Sequence, residues 1–125
     1  MIGGGKEKRM HSINYIEIPS KDFEKSKKFY GDIFGWQFDY MKEADYLSFK
    51  TPDGLGGGFD KHYDISAKPG IIFYIEVEDI PATLSKVEKS GGKTVKGKTQ
   101  ISPEHGYYAF VKDVHGNQIG VWSKK

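Results

Sequence analysis

Two carboxylates and a set of aromatic side chains are the groups in this sequence best suited to act on another molecule. Glu17 and Glu76 lie inside apolar, β-prone runs, Tyr15-Ile16-Glu17-Ile18 and Tyr74-Ile75-Glu76-Val77. A carboxylate so placed serves as a general base or as the anchor of a cation, and Glu17 is the catalytic candidate of the two. Its plainer alternative is a strand-edge acid that meets a lysine or water. Tyr15, Tyr46, Tyr74, Tyr108 and Trp122 each join a flat apolar body to a polar tip. Such residues clamp small organic molecules, and they also dominate ordinary cores and interfaces. The rest of the reactive inventory is thin. Cysteine is absent, which excludes disulfides, thiolate ligands and cysteine nucleophiles. His11, His62, His105 and His115 lack the helical two-turn spacing of a zinc site and read as surface residues. Gly56-Gly57-Gly58 is followed by neither Lys-Ser nor Lys-Thr nor a helix start, so it is not a phosphate loop.

The elements that position these groups follow from local chemistry. Ser12 to Ile18 reads as a strand, broken by Pro19 and Ser20 before Asp22, whose side chain suits a helix N-cap. Phe23, Ser26, Phe29, Tyr30, Ile33 and Phe34 recur at three- and four-residue steps and share one helical face, which Gly35 closes. Trp36 to Met41, Tyr46 to Lys50 and Leu55 to Asp60 then form a meander, separated by Lys42-Glu43 and Pro52-Asp53-Gly54. Ile71 to Val77 is the most β-prone run in the chain. Asp79 caps a second helix with Pro81 in its first turn, closed by Gly91 and Gly92, and three strands follow near residues 93–99, 107–112 and 118–123.

That order occurs twice. Asp22 precedes Gly35 by 13 residues and Asp79 precedes Gly92 by 13, an offset of 57 between halves. Lys50, Gly54 and Gly58 match Lys112, Gly116 and Gly120 at an offset of 62. The chain is therefore an internal repeat of a strand, a helix and three strands. Alternation along the strands divides their faces. Ile16, Ile18, Phe73, Ile75, Val77, Leu55, Phe59, Ile119 and Val121 make one face uniformly apolar, as a helix-covered face must be. Tyr15, Glu17, Tyr74, Glu76, Gly58, Gly120 and Trp122 share the other, joined through the turn matching by Tyr46, Ser48, Tyr108 and Phe110. Glycines at 56, 58 and 120 leave room there for a ligand to approach the backbone.

The paired βαβββ units, with Phe29-Tyr30, Phe34-Gly35-Trp36, Pro52-Asp53-Gly54 and the closing Asp113-Val-His-Gly-Asn-Gln-Ile-Gly-Val-Trp122, resemble the vicinal oxygen chelate superfamily of glyoxalases, bleomycin-resistance proteins and extradiol dioxygenases. The closest likeness is to its small glyoxalase-related branch, a label of ancestry more than of activity. The resemblance covers residues 12 to 123. It implies an α+β fold in which two tandem modules, about 12–61 and 70–123, form a curved mixed sheet around a central cleft with helices on the outer face. It also implies one metal ligand from the first and last strand of each module. Those positions fall on Tyr15, Ile72, Gly58 and Gly120, none a usual ligand, so the metal site reads as lost and no cofactor is expected, although a divalent metal held by other residues stays open.

Composition bounds the remaining choices. A chain of 125 residues, 37% hydrophobic and 29% charged, is one folded domain, with residues 1–11 read as a mobile leader. Lys6, Lys8 and Arg9 against Glu7 account for the net charge of +2 and leave 16 basic and 16 acidic side chains elsewhere. No basic stripe points to nucleic acid, and no apolar run is long enough for a membrane helix. The expectation is a cytoplasmic homodimer that binds a small molecule through Tyr15, Glu17, Tyr46, Gly58, Tyr74, Glu76, Tyr108, Gly120 and Trp122. The alternative is a lyase or isomerase acting on a small oxygenated metabolite, with Glu17 as base.

Overall fold

The computed structural model describes residues 10–65 and 69–125, so the expected leader falls almost wholly outside the described residues. Along the chain run β1 (Tyr15–Pro19), α1 (Phe23–Phe34), β2 (Gln37–Met41), a 3-10 turn (Lys42–Ala44), β3 (Tyr46–Lys50), β4 (Gly56–Asp60), β5 (Tyr74–Glu76), α2 (Ile80–Lys89), β6 (Lys93–Ser102), β7 (Gly106–Lys112) and β8 (Gln118–Ser123). The helix starts are set by the two aspartates. Asp22 is extended and its carboxylate accepts the amides of Glu24 and Lys25 at 3.0 and 3.2 Å; Asp79 accepts that of Ala82 at 2.9 Å. Gly35 closes α1 in the left-handed conformation, φ 73°. The second helix stops sooner than the glycines imply, at Lys89 with Ser90 as its cap, and Gly91 takes the left-handed turn beyond it.

Each module builds its own mixed four-stranded sheet, in the orders β1-β4-β3-β2 and β5-β8-β7-β6, with the first pair of each parallel and the others antiparallel. The two expected βαβββ modules thus each carry a sheet of their own, and among the described residues no ladder joins β1 to β5. Strand β5 is also shorter than residues 71–77. Its ladder with β8 pairs Tyr74 with Gly120, so Ile71 and Ile72 reach the start of β8, where partners run out.

The helices lie on the apolar sheet faces, and one buried cluster crosses both modules: Phe29 and Tyr30 of α1 pack with Phe49 and Phe59 of the first sheet and Val111 and Ile119 of the second. Trp36 stacks between Tyr30 and Phe49, with ring centroids 4.6 and 4.5 Å apart. At one junction between modules the β7–β8 turn grips the first module. Tyr30 Oη donates to buried Asp113 Oδ2 at 2.7 Å, and Asn117 Nδ2 donates to the same oxygen and to the carbonyl of Pro19, both at 2.8 Å. Asp113 Oδ1 accepts the amides of His115 and Asn117 at 2.9 Å, and His115 Nε2 reaches the carbonyl of Asp22 at 3.1 Å.

The candidate ligand face

The sheet faces turned away from the helices carry the residues singled out by alternation, in two separate groups. On the first sheet Glu17 stands opposite Gly58, and Tyr46 Oη donates to Glu17 Oε2 at 2.8 Å while lying 2.8 Å from Tyr15 Oη. Burial and the bonds to Tyr15 and Glu17 raise the Tyr46 pKa well above that of a free phenol, so this hydroxyl remains a proton donor. Tyr63, in the connection after β4, joins the group: the charges of Glu17 and Asp60 raise its pKa too. One ionised acid among three phenols can hold a proton in place or face a cation.

On the second sheet the ladder sets two rows across the strands. Tyr74, Gly120, Phe110 and Lys96 form one, and Glu76, Trp122, Tyr108 and Thr99 the next. The Phe110 ring lies 6.0 Å from that of Tyr74 and 5.3 Å, edge on, from that of Tyr108. Lys96 Nζ donates to Tyr108 Oη at 2.7 Å and sits 5.1 Å from that ring's centroid. Trp122 Nε1 donates to the carbonyl of His105 at 2.8 Å, which fixes the indole edge and leaves its body to the surface. Tyr74, Ile101, Tyr108 and Trp122 line a pocket of about 300 Å³. Lys96 and Ile101 escaped the sequence reading because register shifts along β6 break the simple alternation. Tyr63 escaped it because a connecting loop carries no periodic signal.

Among the described residues no hydrogen bond or ring contact joins the two groups, and Glu76 makes neither a hydrogen bond nor an ion pair. The histidines are dispersed. His62 pairs with Asp60 at 3.0 Å, His105 Nδ1 lies 2.7 Å from Ser102 Oγ, and His115, half-buried rather than on the surface, serves the junction between modules.

A family model described as the Glyoxalase/Bleomycin resistance protein/Dioxygenase superfamily matches residues 12–121. The chain belongs to that superfamily. A glyoxylase-like domain-containing protein of Didymella fabae is 33% identical over 119 residues, which cover 90% of this chain and 93% of that protein. The fosfomycin resistance protein FosX of Listeria monocytogenes superposes with a TM-score of 0.77 at 13% identity, over 94% of this chain and 96% of FosX. TnmS3, an antibiotic binding protein from Streptomyces sp. CB03234, superposes with a TM-score of 0.68 at 18% identity, over 95% and 100%. Likeness at such identities is one of fold.

Within the glyoxalase/bleomycin-resistance fold, the four positions matched to metal ligands do not fit a metal ion. A Cβ on Gly58 would fall inside the Tyr46 ring, and one on Gly120 inside the Tyr74 ring. Gly58 and Gly120 therefore seat tyrosine rings instead of leaving room for a ligand, whereas at Gly56 a Cβ would meet the Tyr15 ring at an ordinary 3.7 Å. Ile72 has no donor atom, Tyr15 Oη is committed to Tyr46, and among the described residues no three His, Asp or Glu side chains gather as a metal site.

Proposed function

We propose that this chain binds a small planar organic molecule against the aromatic face of its second sheet, without the superfamily's metal. The observation that carries this reading is the gathering of Tyr74, Tyr108 and Trp122 around one pocket, with Phe110 behind them and Lys96 at the edge. A volume of about 300 Å³ is at the small end for ligand sites and suits one or two fused rings. A stacked ring gains apolar burial from the aromatic bodies, and an anionic substituent gains from Lys96. TnmS3, a protein of this fold named for binding an antibiotic, lends the reading support. Pairing as a homodimer belongs to the same proposal, and Ile13 and Ile71, 80% and 94% exposed, are apolar side chains that a second copy would cover. A cytoplasmic setting fits the lack of cysteine; no helix among the described residues is long and apolar enough to cross a membrane.

The test is calorimetric titration with a panel of planar aromatic acids and amines, on protein whose metal content has been measured by elemental mass spectrometry. At least one compound is expected to bind with a Kd near or below about 100 μM, and Trp122→Ala to weaken it about tenfold. Failure of the whole panel, or indifference to Trp122→Ala, overturns the site. Near-stoichiometric metal overturns the metal-free part.

The hydrogen bond from Tyr46 to Glu17, an acid and a base held together, favours one second reading, acid–base catalysis as a lyase or isomerase on a small oxygenated metabolite. Glu17→Gln separates the two: lost turnover with retained binding supports the enzyme, and lost affinity alone removes it.

A further inference from the structure

The two modules are related by the repeat, yet their two junctions differ. Across the repeat Thr51, Leu55 and Val87 stand where Asp113, Asn117 and Tyr30 make the polar grip described above. A threonine hydroxyl cannot span the distance a carboxylate does, and leucine and valine offer no hydrogen bond. Thr51 instead turns its hydroxyl to Asp53 in its own turn. The junction between the β3–β4 turn and the start of α2 therefore stays open, as a crevice of about 750 Å³ on the helix side of the sheets.

Its wall and its rim differ in kind. Ile16, Ile33, Phe34, Leu55, Phe73 and Ile75 line it, all partly exposed, with buried Trp36 at its floor. Exposed Asp53, Glu78 and Asp79 also border it, against the single cation Lys86, while Glu76 borders it from a row whose side chains belong to the opposite face. Asp79 is engaged as the α2 cap and Asp53 with Thr51. Glu76 and Glu78 make no hydrogen bond or ion pair among the described residues. An apolar trough with an excess of carboxylates at its mouth repels an organic anion and complements an organic cation.

We propose that this open junction is a second binding site, separate from the aromatic face of β5–β8, and that its ligand is an amphipathic organic cation whose apolar body lies on Ile33, Phe34 and Leu55 and whose ammonium faces Asp53 and Glu78. Tyr74 borders both pockets, but neither Trp122, Tyr108 nor Ile101 touches the crevice, so the planar-ligand site can fail at Trp122 without touching this one.

The chain has two tryptophans, and they report on the two sites separately. In Trp122→Phe only Trp36 remains. That protein is titrated, below micelle formation, with a bromoalkyl trimethylammonium salt and, as control, a bromoalkyl sulfonate of equal chain length. Bromine quenches indole fluorescence on contact. The ammonium salt is expected to quench Trp36 saturably, with the sulfonate about tenfold weaker or worse. The double variant Asp53→Asn, Glu78→Gln should weaken the ammonium salt about tenfold and leave folding intact, since both residues are exposed. Absence of saturable quenching, equal binding of the sulfonate, or an unchanged affinity in the double variant overturns the proposal.

Discussion

Glu17 is distinguished by who shares its hydrogen bonds rather than by its own position. Tyr46 reaches it from β3, across Gly58 of the intervening strand β4, and Tyr15 continues the chain of hydroxyls. Glycine at 58 is what lets the ring lie flat on the sheet. Gly58→Ala must swing Tyr46 aside and break both of its hydroxyl bonds, so it is expected to cost about 1–3 kcal/mol of stability. Gly120→Ala displaces Tyr74, which is half exposed and makes no side-chain hydrogen bond among the described residues, and should cost less. Urea midpoints of the two variants check the order; equal costs would mean that the hydroxyl chain contributes little. Alternation along the sequence put the tyrosines and the glycines on one face. It could not say that one covers the other, because that depends on the lean of a ring across strands and not on its spacing along one.

At the scale of elements, side-chain chemistry confined to a few neighbours was the legible part. Asp22 and Asp79 cap the helices they announce, Gly35 ends the first, and β8 runs from Gln118 to Ser123 as its composition implies. The extent of β5 and the faces of β6 were not legible, since each is decided by a partner strand: β5 stops where β8 begins, and β6 slips register against β7. The Asp22 cap makes two bonds to amides of the first turn, both otherwise without a helical partner. Asp22→Ala is expected to lower stability by about 1 kcal/mol, seen as a drop of several degrees in Tm. A melt that does not move would show the first turn to be held by packing of Phe23 alone.

Across the whole molecule, the modules are joined by a core and by one buried polar cluster whose central proton is that of Tyr30. Burial first, and then the negative charge and hydrogen bond of Asp113, raise the Tyr30 pKa well above its ordinary value. A phenol whose folded pKa is raised contributes stability that is whole below the unfolded pKa, about 10, and lost as pH climbs toward the folded value. Stability should therefore fall from about pH 10 upward. In Tyr30→Phe that alkaline decline should be shallower, while at neutral pH the variant loses about 1–3 kcal/mol because Asp113 keeps its burial and loses a donor. Urea midpoints from neutral to alkaline pH test both; an unaltered alkaline slope would place the decline in other tyrosines. The division into two sheets, each drawn from one uninterrupted stretch of chain, has a consequence for either half taken alone. Every strand finds its partners within its own half, so the widest closures a sheet needs are those of the parallel pairs, Tyr15 with Gly56 and Tyr74 with Gly120, and none spans the two halves. What no half can complete alone is the core, where Phe29 and Tyr30 of one meet Val111 and Ile119 of the other, so a half cut from the chain should keep its strand pairing and lose its packing.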